Sequence, residues 1–437
     1  MKQGKRELLN LYMEQDPVFA EDPDKPPSEY VCQLLKALYG TKQGARLWQD
    51  LVQDFVTKDG WTMSRHSDCV CFGMKADAPY DEQREHLRGL RVMTYITDDF
   101  AISHTDDKQG RENYRKYFER FNARFPSTNL GDLKWYCNMA VHRGADNVYQ
   151  ISHKAYIEAM ITKQEMDDVA GQNLPYNERD IKMLNEHSYT DTAPELGKQI
   201  PVKRYRSKIG AIQYAAQIST PGAAATAGVL AGYMQEGIPR EAHERAADHV
   251  IGYLKRHKND VMRMNPGDMK VRAGCDTDYA TCKRTRRSRG GVYVRVGNAI
   301  VMYQSSMQST VATSPAEAEF REVANAVKRV KWARYAMEEY GYSQEEPTEI
   351  ECDCDPAIKI MENSGSGSSM RHVDVDYRFA QEAAKRNIVK IVPVDTSRQA
   401  ADILTKSSLT SKQFHELNDT FIQRKKQNSV TFDDEVT

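Results

Sequence analysis

KVRAGCDTDYATCKRTRRSRGGVYVRVGNAIVMYQ, residues 270–304, sets the architecture of the last third of the chain. Its runs VRAGCD, VYVRV and AIVMYQ have strand length and strand composition, and Gly297-Asn298 between the last two is a hairpin turn. Downstream, the spacing predicts a long helix from Ser314, with Phe320, Val323, Val327 and Val330 on one face. TEIECD is the next strand, DPAIKIMEN a short helix and SGSGSS a flexible loop. VDYRFAQEAAKRN reads as a helix, IVKIVPV as a strand and RQAADILTK as a final helix. Three antiparallel strands, a helix, a strand, helices, a strand and a helix make a mixed-sheet α/β domain.

Four acids stand out in this frame: Asp276, Glu317, Asp353 and Asp402. Each sits at the end of an apolar strand or in the first turns of a helix. Carboxylates at one sheet edge can hold two divalent cations, and two cations a few Å apart support in-line cleavage of phosphodiesters. Each acid alone also has a plainer reading. Ser314-Pro315-Ala316-Glu317 is a capping box with proline at the first helical position. Asp353 suits a turn, Asp276 and Asp278 a solvated hairpin, and Asp402 an exposed helix face. Four carboxylates around one edge would repel one another unless cations sat between them, which favours the metal reading for the set. Lys283, Arg284, Arg286, Arg287 and Arg289 lie between the first two strands. They suit a polyanionic ligand or, equally, a solvated loop.

With 437 residues, the chain is long enough for roughly two or three domains. Hydrophobic residues are 40% and charged residues 28%, a composition that builds cores. A net charge of -1 leaves any nucleic-acid contact to local clusters. No run is apolar enough for a membrane span, and the N-terminus lacks a signal-peptide core, so an intracellular protein is expected. The eight cysteines include the C-x-C pairs Cys69/Cys71 and Cys352/Cys354 but no zinc-finger spacing, and read as reduced structural thiols.

Upstream, GARLWQDLVQDFVTKDGW is an amphipathic helix with Leu47, Leu51, Phe55 and Val56 at helical spacing. LRVMTYI and FAIS, separated by Thr97-Asp98-Asp99, form a β-hairpin. Residues 166–203 are polar with no clear period and read as a loop or linker. Residues 204–262 are mostly helical, and the end after about residue 415 reads as a polar, frayed tail.

The C-terminal third resembles the RNase H domain of copia-type LTR retrotransposon polyproteins. CDTDY at 275–279, Arg286-Arg287-Ser288, VATSPAEAEF at 311–320, CDCDPAI at 352–358, RHVDVDYRF at 371–379 and ADILTK at 401–406 follow that family's motifs in order. Cys354 replaces the usual Asn and Ala316 the usual Thr. The resemblance implies that Asp276, Glu317, Asp353 and Asp402 are metal-binding carboxylates for Mg2+ or Mn2+. His372 and Asp374 also match the pattern, and His372 reads as structural. The first region resembles the reverse transcriptase palm of the same polyproteins. YVCQLLKALYGTKQGARLW at 30–48, ITDD at 96–99, LGDLKWYCN at 130–138 and YRSKIGAIQYAA at 205–216 carry that likeness, and Trp332 matches a Trp in the RNase H helix.

The resemblance implies that Asp98 and Asp99 are polymerase metal ligands and that Gln43, Arg46, Arg286 and Arg287 contact substrate. It implies an α/β and α+β multidomain chain. A partial palm at 1–165 precedes a linker and helical thumb or connection at 166–265. An RNase H-like domain at 268–410 and a tail at 411–437 complete it. Two departures concern the polymerase half. Ile96 stands where the family has Tyr or Phe, and the family's first catalytic Asp, in a strand reading D-V-x-x-A-F-L-x-G, has no counterpart before LYMEQDPVFA. The chain therefore reads as N-terminally truncated with impaired polymerase activity. The expected partners are an RNA:DNA hybrid, template-primer, dNTP and other polyprotein products, with no membrane. The expected location is cytoplasmic and particle-associated, or nuclear. The alternative is a degenerate or domesticated remnant that binds nucleic acid without catalysis.

Overall fold

The computed structural model describes residues 12–14, 31–33, 38, 40–75, 78–187, 193–265, 267–362 and 374–422. The chain divides into two compact units, Met1–Asn129 and Leu130–Thr437. The division falls upstream of the boundary expected at 165.

In the first unit β1 (Tyr12–Glu14) pairs with β2 (Val31–Gln33). Helix α1 (Lys42–Lys58) is followed by β3 (Thr62–Met63), β4 (Val70–Phe72), β5 (Leu90–Ile96), β6 (Asp99–His104) and helix α2 (Lys108–Arg124). The strands β3-β4-β5-β6 form one antiparallel sheet in that order. Thr41 caps α1 by accepting from the Gly44 N–H, and Asp107 caps α2 by accepting from the Gly110 N–H. Val52, Val56, Met93, Tyr95, Tyr117, Phe121 and Phe125 form the core between helices and sheet. Leu51, expected on the buried face of α1, is exposed, and Val52 takes its place.

The second unit opens with β7 (Trp135–Tyr136), β8 (Met139–Arg143) and β9 (Tyr149–Ser152). Five helices follow: α3 (Lys154–Lys163), α4 (Glu178–Glu186), α5 (Val202–Ile218), α6 (Ala224–Ala231) and α7 (Glu241–Arg256). Strand β10 (Met262–Met264) then pairs with β9 to complete a small antiparallel sheet. The segment expected to be a linker is structured. Asn177 caps α4, and Tyr176, Ile181, Leu184 and Leu196 enter the helical core. Their apolar faces are short and interrupted by prolines, so the helical period is hidden in the sequence.

The rest of this unit contains β11 (Val271–Asp278), β12 (Arg289–Val296), β13 (Ala299–Met307), α8 (Pro315–Glu339), β14 (Thr348–Cys352) and α9 (Asp355–Glu362). After these come α10 (Asp374–Lys385), β15 (Val389–Pro393), α11 (Asp402–Thr405) and α12 (Ser411–Ile422). The sheet order is β13-β12-β11-β14-β15. β11, β12 and β13 are antiparallel neighbours, and β14 and β15 run parallel to β11.

One sheet face is covered by α8, through Phe320, Val323, Val327 and Val330, together with residues of α9 and α10. The other face joins the helical core through Tyr293, Ile300, Leu404 and Phe414. Residues expected to fray at the C-terminus instead form α12. Phe414, Leu417, Phe421 and Ile422 recur at helical spacing and are buried, and the Phe421 ring meets Tyr293 edge-on at 5.3 Å.

Candidate metal centre

β11 is the central strand of the five-stranded sheet, and Asp276 lies near its C-terminal end. Asp353 directly follows Cys352, the last residue of β14. Because β14 is parallel to β11, both strands deliver a carboxylate to the same edge. A third carboxylate comes from α8. Ser314 caps this helix by accepting from the Glu317 N–H at 3.2 Å, and Pro315 occupies its first turn. Further along the same helix, Glu319 turns toward the sheet, and its Oε1 accepts from the Thr277 N–H at 3.2 Å. Asp276, Glu319 and Asp353 each present an oxygen within 4.8 Å of the others. Among the described residues this is the only such grouping of His, Cys, Asp and Glu.

Asp402 opens α11 beside this group and is 4% exposed. Its Oδ1 lies 2.7 Å from Lys406 Nζ, which is also 3.9 Å from Asp276 Oδ1. The Thr405 hydroxyl donates to Asp276 Oδ2. Gln399 anchors the approach to α11 by donating from Nε2 to the Cys275 carbonyl at 3.1 Å. α11 comes this close because Gly291, the cross-strand partner of Asp276, has no side chain. A Cβ on Gly291 would sit 2.7 Å from Leu404 Cβ and 2.9 Å from Thr405 Cγ2.

Burial and crowding perturb every acid for which a shift is resolved here. Burial, then the Asp276 charge, pushes the Glu319 carboxyl up to about 10. The same two causes push Asp402 up to about 7. Burial raises Asp276 against the pull of Lys406 and Thr405. Such a cluster is expensive without positive charge between its members. Glu319 Oε2 is buried with no hydrogen-bond partner among protein groups. An all-oxygen donor set with one oxygen uncommitted fits a hard divalent cation such as Mg2+ or Mn2+.

Glu317, expected from the resemblance among the metal-binding carboxylates, is not one of the three grouped acids. Its Oε2 accepts from the Thr313 N–H at 2.7 Å and from the Thr313 hydroxyl, and its Oε1 pairs with Arg321 at 2.5 Å. Burial works to raise it, but these bonds outweigh burial and hold Glu317 below the ordinary carboxylate range. It closes the helix N-terminus, while Glu319 joins the acids. The signal lay in the helical stripe. Glu319 stands four residues before Val323 and beside Phe320, both of which are buried against the sheet. An acid on that stripe points at the sheet edge.

The basic run divides. Lys283, Arg284, Arg286 and Arg287 are exposed on the loop between β11 and β12. Arg289 is buried, within 3.5 Å of Ser305 Oγ and against the backbone of Gly228. In the first unit Asp98 and Asp99 are exposed at the tip of the β5–β6 hairpin, where Thr97 has φ 56°. Trp48 Nε1 donates to the Thr97 carbonyl and ties α1 to that tip. Gln43 and Arg46 lie on the N-terminal part of α1, and Arg46 Nε pairs with Asp50 at 3.0 Å on the surface. No third His, Cys, Asp or Glu joins Asp98 and Asp99 in a tight group among the described residues. His372 lies outside the described residues, and Asp374 begins α10.

A family model described as reverse transcriptase (RNA-dependent DNA polymerase) matches residues 5–178. The Retrovirus-related Pol polyprotein from transposon RE1 of Arabidopsis thaliana is 26% identical over 398 residues, covering 91% of this chain and 25% of that protein. The corresponding polyprotein from transposon TNT 1-94 of Nicotiana tabacum is 25% identical, covering 91% of this chain and 28% of that protein. Over most of its length the chain is similar to copia-type retrotransposon polyproteins. It spans about a quarter of the length of these polyprotein relatives. The reverse transcriptase match holds Asp98 and Asp99 but ends before β11, so the buried acidic cluster lies outside it. No helix among the described residues is long and apolar enough to cross a membrane.

Proposed function

We propose that residues 268–410 form an RNase H-like domain that hydrolyses the RNA strand of an RNA:DNA hybrid with two divalent cations. The observation that carries this reading is the convergence of Asp276, Glu319 and Asp353 within 4.8 Å, with Asp402 beside them. The sheet supports it: three antiparallel strands continue into two that run parallel to β11. Bound Mg2+ or Mn2+ would activate water and stabilise charge on the scissile phosphate.

The chain's own groups would prepare that event. Asp276, on the central strand, would be shared between the cation positions, with its orientation held by Thr405. Glu319 and Asp353 would complete one side, and Asp402 the other. The Thr277 N–H fixes Glu319 Oε1 and leaves Oε2 available. Arg286 and Arg287, on the exposed loop, would track the hybrid's phosphates. Recognition would follow helix shape and 2′-hydroxyls rather than base sequence.

For the reverse transcriptase region, Asp98 and Asp99 would hold polymerase cations, with Gln43 and Arg46 toward template-primer. Two acids on one hairpin, with no third grouped beside them among the described residues, are too few ligands by themselves, so little or no primer extension is expected from this chain alone. Robust extension with template-primer and dNTPs would overturn that expectation. The nuclease reading is tested with a labelled RNA:DNA hybrid in Mg2+ or Mn2+, using the unmodified chain beside Asp276→Asn and Glu319→Gln. Cleavage by the unmodified chain alone is the expected result. Hybrid binding with no cleavage by the unmodified chain would instead make it a non-catalytic nucleic-acid-binding relic.

A further inference from the structure

Lys406 lies on the Asp402 side of the acidic cluster, and this position has a consequence for metal loading. Its ammonium is 2.7 Å from Asp402 Oδ1 and 3.9 Å from Asp276 Oδ1. The other oxygen of Asp276 receives the Thr405 hydroxyl. The Lys406 side chain is about one-third exposed, so the ammonium can move to solvent without unfolding α11. The backbone fixes the base of that movement, because the Lys406 N–H donates to the Asp402 carbonyl at 2.8 Å. On the opposite side no lysine or arginine pairs with Glu319 or Asp353 among the ion pairs between described residues. There the Thr277 N–H donates to Glu319 Oε1. The two sides of one cluster are therefore neutralised differently. One side presents Glu319 Oε2 and the Asp353 carboxylate with no lysine or arginine paired to them among the described residues, and the other already holds a cation of the protein's own.

We propose that Lys406 is a tethered counter-ion that occupies the second cation position, so that the Asp276/Glu319/Asp353 side loads first and the Asp276/Asp402 side loads only when the ammonium swings away. Two like charges cannot share the oxygens between Asp276 and Asp402 at contact distance. The second cation must displace Nζ, and its apparent affinity falls by the cost of that displacement. The first cation meets no such competitor. Lys406 is thus a positioning residue that sets the order and the concentration range of metal binding. The inference rests on the two-cation reading of the cluster.

Manganese binding to the full chain tests it without reference to activity, by counting bound Mn2+ by electron paramagnetic resonance and by calorimetric titration. The unmodified chain is expected to bind one Mn2+ and to take a second only at markedly higher concentration. Lys406→Met should tighten the second event by about tenfold, the factor that ~1.4 kcal/mol represents, and leave the first nearly unchanged. Lys406→Arg keeps the charge and should keep the weak second event. Lys406→Gln provides a second neutral variant should the Met variant fold poorly.

Absence of any Mn2+ binding to the unmodified chain defeats the two-cation reading itself. Binding of the first ion with an unchanged or weaker second event in both neutral variants overturns the role of Lys406 alone. Equal tightening of both events would also overturn it, because a general charge effect would not distinguish the two sides.

Discussion

Glu317→Gln and Glu319→Gln, two residues apart on α8, should shift stability in opposite directions and separate capping from metal binding. Glu319 titrates at about 10 in the folded chain against an ordinary 4.5, because burial and then Asp276 oppose its charge. Its folded pKa lies above its unfolded one. The folded state therefore keeps a proton that the unfolded state releases, and stability falls as pH rises above 4.5. From there to pH 7 the cost accumulates at about 1.36 kcal/mol per pH unit, or ~3 kcal/mol. Glu319→Gln removes that cost and should stabilise the metal-free chain by up to about this amount. Glu317 has the reverse sign. Thr313 and Arg321 hold its carboxyl below 4.5, so its contribution is present above that pH and lost as pH falls further. Glu317→Gln should cost ~2 kcal/mol, the upper range for a lost helix cap. Urea unfolding at pH 7 in chelator reads both changes, and repetition in Mn2+ reads metal linkage. Mn2+ should stabilise the Glu317→Gln chain and leave Glu319→Gln nearly unmoved. Hybrid cleavage should survive the first substitution and disappear in the second. Loss of Mn2+ stabilisation in Glu317→Gln with retention in Glu319→Gln would refute the assignment.

Gly291→Ala should destabilise the second unit by ~1–3 kcal/mol, because the new Cβ meets Leu404 Cβ at 2.7 Å and pushes α11 away from Asp276. Denaturant unfolding measures the loss, and hybrid cleavage should fall further than stability explains. Lys208, 2% exposed, pairs with Glu244 at 3.1 Å and with Asp248. Lys208→Ala takes the buried ammonium of α5 away from both acids, which lie one turn apart on α7, and should cost ~3–5 kcal/mol in the same assay. His153 and His243 are both buried, and burial lowers each to about 4. Their folded pKa values lie below the ordinary 6.5, so the unfolded chain takes up protons first and stability is lost as pH falls from 6.5 toward 4. The loss approaches ~3 kcal/mol for each histidine at the acid end, and melting in His153→Gln should be less acid-sensitive than in the unmodified chain.

The five-stranded sheet was legible because its strands are apolar runs bounded by turn residues, and its helix stripe repeats cleanly from Phe320 to Val330. The helical segments around α4 and α12 were not. Tyr176, Ile181, Leu184 and Leu196 are spread among prolines and charges, and each segment is short, so the core they complete is visible only when all four meet. At the site, the sequence marked Asp276, Asp353 and Asp402, because a strand end or a helix start predicts where each carboxylate points. It singled out Glu317 rather than Glu319 because Ser314-Pro315-Ala316-Glu317 draws attention to the helix terminus, while which of two nearby acids meets Asp276 and Asp353 depends on rotation about the helix. Lys406 was unmarked because a lysine after a short helix is ordinary in sequence. Its meaning comes from standing between Asp402, one turn before it, and Asp276, on a strand far away in the chain.

What lets one strand end serve both faces of the sheet is the Gly290-Gly291 pair on β12. Successive strand residues point to opposite faces, so two adjacent glycines thin the sheet on both sides at one level. On one face a Cβ at Gly290 would overlap Glu322 Oε2, so α8 can approach there and Glu319 can reach the Thr277 N–H. On the other face Gly291 admits Leu404 and Thr405, so α11 can bring Asp402 and Lys406 to Asp276. The cross-strand partners of these glycines are Thr277 and Asp276, the residues that meet the two helices. Substituting either glycine should therefore disturb the cluster from a different side. Gly290→Ala should weaken the first Mn2+ event through Glu319, and Gly291→Ala the second through Asp402. If both variants lose the two events together, the cluster responds as one rigid body and the division between its sides is wrong.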